Sequence, residues 1–264
     1  MHNDYHTIRN YPVKLQDCDP AGKIHLHRLM DYAQDADDEN CRLLGVNDQV
    51  LRKKNACWIV LANVFHFSGD FPRGGEPLVV DTWSRGKKGI RFYRNNLYYR
   101  GNVSKENLVG ASASEWILCD ADTHRPVRPP AVIDVEAFLA AGSKEANPAG
   151  IERLKTPLNP SAKPPLFSYQ TGYGDLDFNI HMHNTHYARL AVDAAAKTAG
   201  LDPWTQTFTI RRFHIQYNCE TAFDSTLALY TTPLAEGLVE VAGFCRGTNS
   251  FIARVDYEIS GRRV

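Results

Sequence analysis

Residues 175–187 read D-L-D-F-N-I-H-M-H-N-T-H-Y, placing two Asp, two Asn and three His within 13 residues. If this stretch is extended, Asp177, Asn179 and His181 alternate and turn their side chains to one side. A carboxylate, an amide and an imidazole on one face form a hydrolytic set. A helical pattern follows, with Asn184 as its predicted N-cap. The N–H groups and dipole at such a helix start can stabilise a developing oxyanion. Asp, Asn and His also serve as plain turn and cap residues before helices, and His183 and His186 are read individually as structural. The spacing His181-x-His183-x-x-His186 suits zinc ligation. There is no H-E-x-x-H motif, however, and His183 is matched by His25 in a second copy described next, so no metal is expected. Cys219, beside Glu220 at the end of a β-rich run, reads as a semi-buried strand thiol.

The elements that must position these residues occur twice. An extended segment over 7–15 precedes a helical pattern carrying Leu26, Leu29, Met30 and Ala33 at i, i+3, i+4 and i+7. Four β-rich runs follow, over 58–68, 76–83, 90–100 and 108–120. After them, eight of the 14 prolines fall between residues 126 and 165, and this stretch reads as a linker with one short helix over 135–141. Beyond it come an extended segment over 167–174 and a helix with Tyr187, Leu190, Ala191 and Ala194. Four β-rich runs then close the chain, over 207–219, 225–232, 237–247 and 251–260. The predicted organisation is a first half over 1–127, a linker over 128–165 and a second half over 166–264.

The repeat is also visible residue by residue. Residues 17–25 lie over 175–183 at an offset of 158, matching Asp17 with Asp175, Asp19 with Asp177 and His25 with His183. Residues 64–70 lie over 214–220 at an offset of 150, which pairs Asp70 with Glu220. A duplicated α+β unit follows from this order of elements. Where the second copy has Asn179 and His181, the first has Ala21 and Lys23, so one site is expected, in the second half.

Composition excludes several classes. The 264 residues are 43% hydrophobic and 11% aromatic, enough for a substantial core, so disorder, collagen and coiled coil are ruled out as the main architecture. Thirty basic and thirty acidic side chains give zero formal charge, against a general nucleic-acid binder. The start of the chain has no secretory pattern and no apolar run approaches ~20 residues, so a cytoplasmic protein with no membrane span is expected. The six scattered cysteines suit reduced thiols.

The motif around Asp175, with Asp177, Asn179, His181, Asn184 and Tyr187, resembles the D-L-D-x-N-x-H-V-N-N-x-x-Y motif of plant and bacterial acyl-acyl-carrier-protein (acyl-ACP) thioesterases. The segment Y-N-C-E-T-A-F-D-S over 217–225 is similar to their Y-R-R-E-C-G-R-D-S. Matches around Trp58, Asp70, Gly74, Asp81, Trp83, Trp116 and Arg125 extend the resemblance over nearly the whole chain. It implies a tandem hotdog fold, α+β, in which each half wraps an antiparallel sheet around a central helix. It places Asp177, Asn179, His181 and Glu220 on the family's active-site positions. Two departures stand out: Thr221 replaces the family's cysteine after the glutamate, against a thiol nucleophile, and His183 replaces an asparagine.

The implied reaction is hydrolysis of fatty acyl-ACP to free fatty acid and holo-ACP, without a cofactor. Glu220 or Asp177 would act as base or nucleophile, His181 as hydrogen-bond partner or acid, and Asn179 would orient water or substrate. The start of the second helix near His183 and Asn184 would bind the carbonyl, and Leu29, Met30, Trp58 and Val60 would line the acyl pocket. From residue 82 to 105 there is no acid, and Arg85, Lys87, Lys88 and Arg91, with Arg211 and Arg212, would meet the acidic carrier protein. Competing readings are an acyl-CoA thioesterase, a hotdog dehydratase and a non-catalytic acyl-binding module. A monomer or a homodimer is expected.

Overall fold

The computed structural model describes residues 6–143, 150–156, 160 and 163–261. The chain divides into two compact units. Unit 1 holds the residues up to Cys18 and Gly22–Ile151, and unit 2 holds Glu152–Val264 together with Asp19–Ala21.

In unit 1, β1 (His6–Pro12) leads through a 3-10 turn (Leu15–Asp17) to α1 (Leu26–Leu43) and the short α2 (Asp48–Arg52). Then come β2 (Ala56–Phe67), β3 (Pro77–Lys88), β4 (Arg91–Arg100), β5 (Leu108–Asp120) and α3 (Val135–Ala140). The strands pair antiparallel in the order β1-β3-β4-β5-β2. The register slips between Val60 and Ala62, between Ser84 and Gly86 and between Tyr98 and Tyr99. Such bulges increase local twist and help a sheet curl around a helix.

The face of α1 that packs on β1 and β3 carries Leu26, Leu29, Met30, Ala33 and Ala36, all buried. Burying a leucine such as Leu29 contributes roughly 2 kcal/mol over leaving it in water. Two polar side chains continue that face, Asp37 and Asn40, and both are satisfied. Thr82 donates to Asp37 at 2.6 Å, Asn40 donates to Thr7 at 2.9 Å, and Arg94 donates to Asn40 at 2.9 Å. Arg94, from the acid-free run, is therefore a core residue and not part of a basic surface. Burial pushes the Asp37 carboxyl above its ordinary value, against the pull of Arg94 4.0 Å away.

The proline-rich stretch is more than a tether. Its apolar residues Val132, Ile133 and Phe138 are buried with Val46, Leu51, Ala56, Phe92 and Leu118. The short helix stands at 135–140, capped by Asp134, which accepts from the Ala137 N–H at 3.0 Å. The boundary of unit 1 accordingly falls after Ile151 and not at 127. Pro148 and Pro157 lie outside the described residues.

Unit 2 repeats the plan. β6 (Phe167–Gln170), a 3-10 turn (Tyr173–Asp175) and α4 (Asn184–Thr198) precede β7 (Gln206–Tyr217), β8 (Thr226–Ala235), β9 (Leu238–Cys245) and β10 (Thr248–Gly261). The antiparallel order β6-β8-β9-β10-β7 is that of unit 1, strand for strand. Helix α4 buries Tyr187, Ala188, Leu190, Ala191, Ala194 and Ala195 and packs against β7, β8, β9 and β10. The 150-residue offset holds at both ends of β2 and β7, and the 158-residue offset relates the two 3-10 turns. Each unit is a five-stranded antiparallel sheet with one long helix packed on it, so the chain is a tandem hotdog. Among the described residues no helix is long and apolar enough to cross a membrane.

Candidate active site

Two segments of unit 2 meet ahead of α4. His181 forms an antiparallel bridge with Ala222, and the Met182 N–H donates to the Thr221 carbonyl at 3.0 Å. This contact sets His181 beside Glu220, with Nε2 3.2 Å from a carboxylate oxygen. Both side chains reach solvent, His181 at 29% and Glu220 at 39% exposure. A second hydrogen bond ties the loop on the far side, where the Thr221 N–H donates to the Tyr187 hydroxyl oxygen at 2.9 Å. Burial pushes that phenol up to about 12, so it stays neutral.

Residues 177–181 are not extended. They form a tight turn in which the Asp177 N–H donates to the His181 carbonyl at 3.0 Å and the Ile180 N–H to the Asp177 carbonyl at 2.9 Å. One Asp177 carboxylate oxygen accepts the Asn179 N–H at 2.8 Å, an Asx turn of the kind Asp favours. Asp177, Asn179 and His181 thus share one turn and not one face of a strand. Helix α4 begins one residue earlier than predicted, at Asn184. Its N-cap is His183, whose side chain does not cap the helix; its Nδ1 instead lies 2.8 Å from the Thr185 hydroxyl. The His183 N-cap residue thus makes no side-chain cap hydrogen bond to the first turn of α4.

Beneath the turn lies a hub that the sequence reading left without a role. Asp175 is buried and accepts the Gly172 N–H at 2.8 Å and the Tyr169 hydroxyl at 2.8 Å, with His186 Nδ1 at 2.8 Å and Arg189 4.0 Å away. Its backbone carbonyl takes the His183 N–H at 2.8 Å. Burial by itself would raise this carboxyl, but the Gly172, His186 and Tyr169 hydrogen bonds outweigh it and hold the pKa below the ordinary carboxylate range. The three imidazoles of the His-rich motif therefore turn to three different partners: Glu220, Thr185 and Asp175.

The first copy separates architecture from chemistry. Asp17 accepts the Tyr32 hydroxyl at 2.8 Å, has Arg28 3.5 Å away, and its carbonyl takes the His25 N–H at 2.9 Å. Arg28 matches His186 at the 158 offset, so the cation beside the buried Asp recurs. Asp19 accepts the Ala21 N–H at 2.8 Å, repeating the Asx turn of Asp177. The bridge Cys18–Ile24 repeats Leu176–Met182. What differs is the pair of side chains beside this bridge. Lys23 and Asp70 form an ion pair at 2.8 Å at the positions that match His181 and Glu220.

The other predicted residues fall as follows. Leu29 and Met30 are buried on α1 of unit 1. Trp58, on β2, packs edge-on against Phe92 at 4.9 Å and donates its indole N–H to the Val46 carbonyl at 2.9 Å. Of the basic residues, Arg85 and Lys88 are exposed, and Lys87 donates to the Gly89 carbonyl at 2.9 Å. Arg91 is ion-paired with Glu115, and Arg211 with Glu258 at 2.8 Å, so both are partly neutralised across neighbouring strands. Arg212 stands opposite Asp256 in the β7–β10 register.

Cys219 is exposed and lies beyond the end of β7, not semi-buried within a strand. Thr221 is fully buried, with its hydroxyl 3.2 Å from that of Ser250. Neither is placed as a nucleophile. Cys219→Ala is expected to leave turnover within about twofold, and Thr221→Ala to cost about 1 kcal/mol of stability. A chemical denaturation series beside steady-state assays of the two variants would check this.

Residues 4–134 match the family model for the acyl-ACP thioesterase N-terminal domain. No curated protein sequence matches the chain. Among solved structures, an acyl-ACP thioesterase from Bacteroides thetaiotaomicron is 18% identical, with a TM-score of 0.81 over 98% of this chain and 100% of that one. The 12:0-ACP thioesterase from Umbellularia californica is 19% identical, with a TM-score of 0.75 over 97% of this chain and 98% of that one. At these identities the two structures speak for the fold.

Proposed function

We propose, on the premise that this chain belongs to the acyl-ACP thioesterase family, that it hydrolyses fatty acyl-ACP to a free fatty acid and holo-ACP. The observation that carries this reading is the His181–Glu220 pair, at 3.2 Å in unit 2, where the first copy has Lys23 and Asp70. A lysine ion pair offers no group that gives and takes a proton near neutral pH, whereas an imidazole beside a carboxylate does.

In this reading Glu220 takes a proton from a water whose oxygen attacks the thioester carbonyl carbon. The carbonyl oxygen gains negative charge and is held by first-turn N–H groups of α4, close to His183 and Asn184. The C–S bond then breaks, and the Glu220–His181 pair returns the proton to the departing sulfur. Asn179 orients the water or the carbonyl. One oxygen of Asp177 is committed to the Asx turn, and the other offers negative charge to the reacting centre. Asp177→Asn separates these roles, because an asparagine oxygen can still accept the Asn179 N–H. The expected result is intact folding with turnover lowered by about 10²-fold or more. Wild-type turnover in that variant would reduce Asp177 to a turn former.

The test of the reading is steady-state hydrolysis of palmitoyl-ACP and palmitoyl-CoA by the purified chain. Higher kcat/KM on the ACP thioester supports it, a clear preference for the CoA thioester favours an acyl-CoA thioesterase, and inactivity on both favours an acyl-binding module. A panel of C8–C18 acyl-ACPs would then fix chain length. Carrier recognition is assigned to Arg85, Lys87 and Lys88, which have no acidic partner among the described residues. Lys87→Glu with Lys88→Glu should raise KM for acyl-ACP about three- to tenfold at low salt, less at high salt. An equal change for a small thioester would remove these lysines from docking.

A further inference from the structure

Among the described residues five non-glycines have positive φ: Asn55, His124, Ile180, Asp224 and Arg246. Ile180, at φ 64°, is the one β-branched residue among them, and a branched Cβ in this region is strained. Its side chain is 71% exposed, so burial in the free chain does little to offset the strain. At the matching position of the first copy stands Gly22, at φ 78°, the residue that suits this backbone. The copy with the His–Glu pair thus carries a strained, solvent-facing isoleucine between Asn179 and His181, where the other carries glycine.

A second exposed apolar residue stands at the neighbouring register position. His181 and Ala222 face each other in an antiparallel bridge, so the next positions along the two segments are Ile180 and Phe223. Phe223 is 55% exposed, and Phe178, two residues before Ile180, is 69% exposed. Within these two segments the charge is one-sided. No Lys or Arg occurs between residues 171 and 188 or between 213 and 245, whereas Asp177, Glu220 and Asp224 reach solvent. Phosphate groups would be repelled at such a surface, and a neutral aliphatic chain would be accepted.

Resting on the thioesterase reading above, we infer that Ile180 and Phe223 form a subsite for the pantetheine arm of the substrate. That arm joins the thioester to its carrier, is neutral along its length, and bears a geminal dimethyl group suited to an aromatic and a branched aliphatic side chain. The contact would compensate on binding for backbone strain that the free chain leaves uncompensated. It places the anionic end of the arm, and the carrier, beyond these two segments.

The test compares acyl-pantetheine with the matching acyl-S-ethyl thioester, which lacks the arm, using the full chain. Ile180→Asn keeps a residue that tolerates positive φ while removing the apolar contact. The ratio of kcat/KM for acyl-pantetheine over acyl-S-ethyl should fall about five- to tenfold in Ile180→Asn and in Phe223→Ser, with KM carrying the change. Trp204→Ser, which removes an exposed apolar side chain outside these two segments, should leave the ratio as in wild type. An unchanged ratio in both Ile180→Asn and Phe223→Ser, or a loss seen only with acyl-ACP, would overturn the subsite. A wild-type chain that hydrolyses neither thioester would overturn the thioesterase reading itself, which is a different outcome.

Discussion

Glu220→Ala is expected to lower kcat/KM on acyl-ACP by about 10²–10⁴-fold, the range for a positioned general base. His181→Ala should fall in the same range, and the double variant should lose little more than either single one. Groups that act as a unit give strongly non-additive losses. The 3.2 Å contact between the two side chains is the reason to expect a unit. Folding should be almost untouched, because both side chains are partly exposed and the pair is worth at most about 1 kcal/mol at such exposure. Turnover of each variant should therefore fall while its urea midpoint stays. Full activity in His181→Ala would end the proposed mechanism, and multiplicative losses would mean that the two residues work independently.

Asp175→Ala should fail in the opposite manner, by unfolding. Removing this carboxylate strands the Gly172 N–H, the Tyr169 hydroxyl and His186 at a buried site. The expected cost is about 3 kcal/mol, in the range for breaking a buried charged network. Asp175→Asn keeps an acceptor but loses the charge, and it isolates the pH dependence. The folded-state pKa lies below the unfolded value, near 3.9 for an ordinary Asp. The unfolded chain therefore binds the proton first as pH falls. The stabilisation from the charge is complete above about pH 5 and fades as pH drops below about 4 toward the folded value. Urea denaturation between pH 7 and pH 3 should show wild type converging on Asp175→Asn at the acid end. A constant gap across that range would contradict the assigned role of the charge.

Much of this architecture was legible from residue spacing. The apolar stripe Leu26, Leu29, Met30 and Ala33 marked α1, and Tyr187, Leu190, Ala191 and Ala194 marked α4, because burial on one face imposes a 3.6-residue period. The 150 offset found by residue matching is the offset of β2 and β7 themselves. Turn geometry was harder to read. The alternation of Asp177, Asn179 and His181 looks like a strand, yet the Asp side chain captures the amide two residues on and Ile180 reverses the chain. Charge pairing was hidden as well, since Glu115 on β5 and Glu76 just before β3 each reach an arginine of β4 24 residues away, Arg91 and Arg100. Val132, Ile133 and Phe138 were masked by neighbouring prolines, although their apolar character was a signal of packing. The Asp175 hub was signalled only by its match to Asp17, which identified the position but not its partners.

The Lys23–Asp70 pair gives the duplication a practical meaning. A single chain here carries two solutions to one folding problem, so it serves as its own control experiment. Features present in both copies, such as Asp17 and Asp175 or the paired Asx turns, are what the unit needs in order to exist. Features present in one, His181, Glu220 and the strained Ile180, are free of that duty. Lysine closes in unit 1 the loop contact that the imidazole makes in unit 2. Lys23→Ala should therefore loosen this contact in unit 1 by at most about 1 kcal/mol, read as a small shift in the urea midpoint.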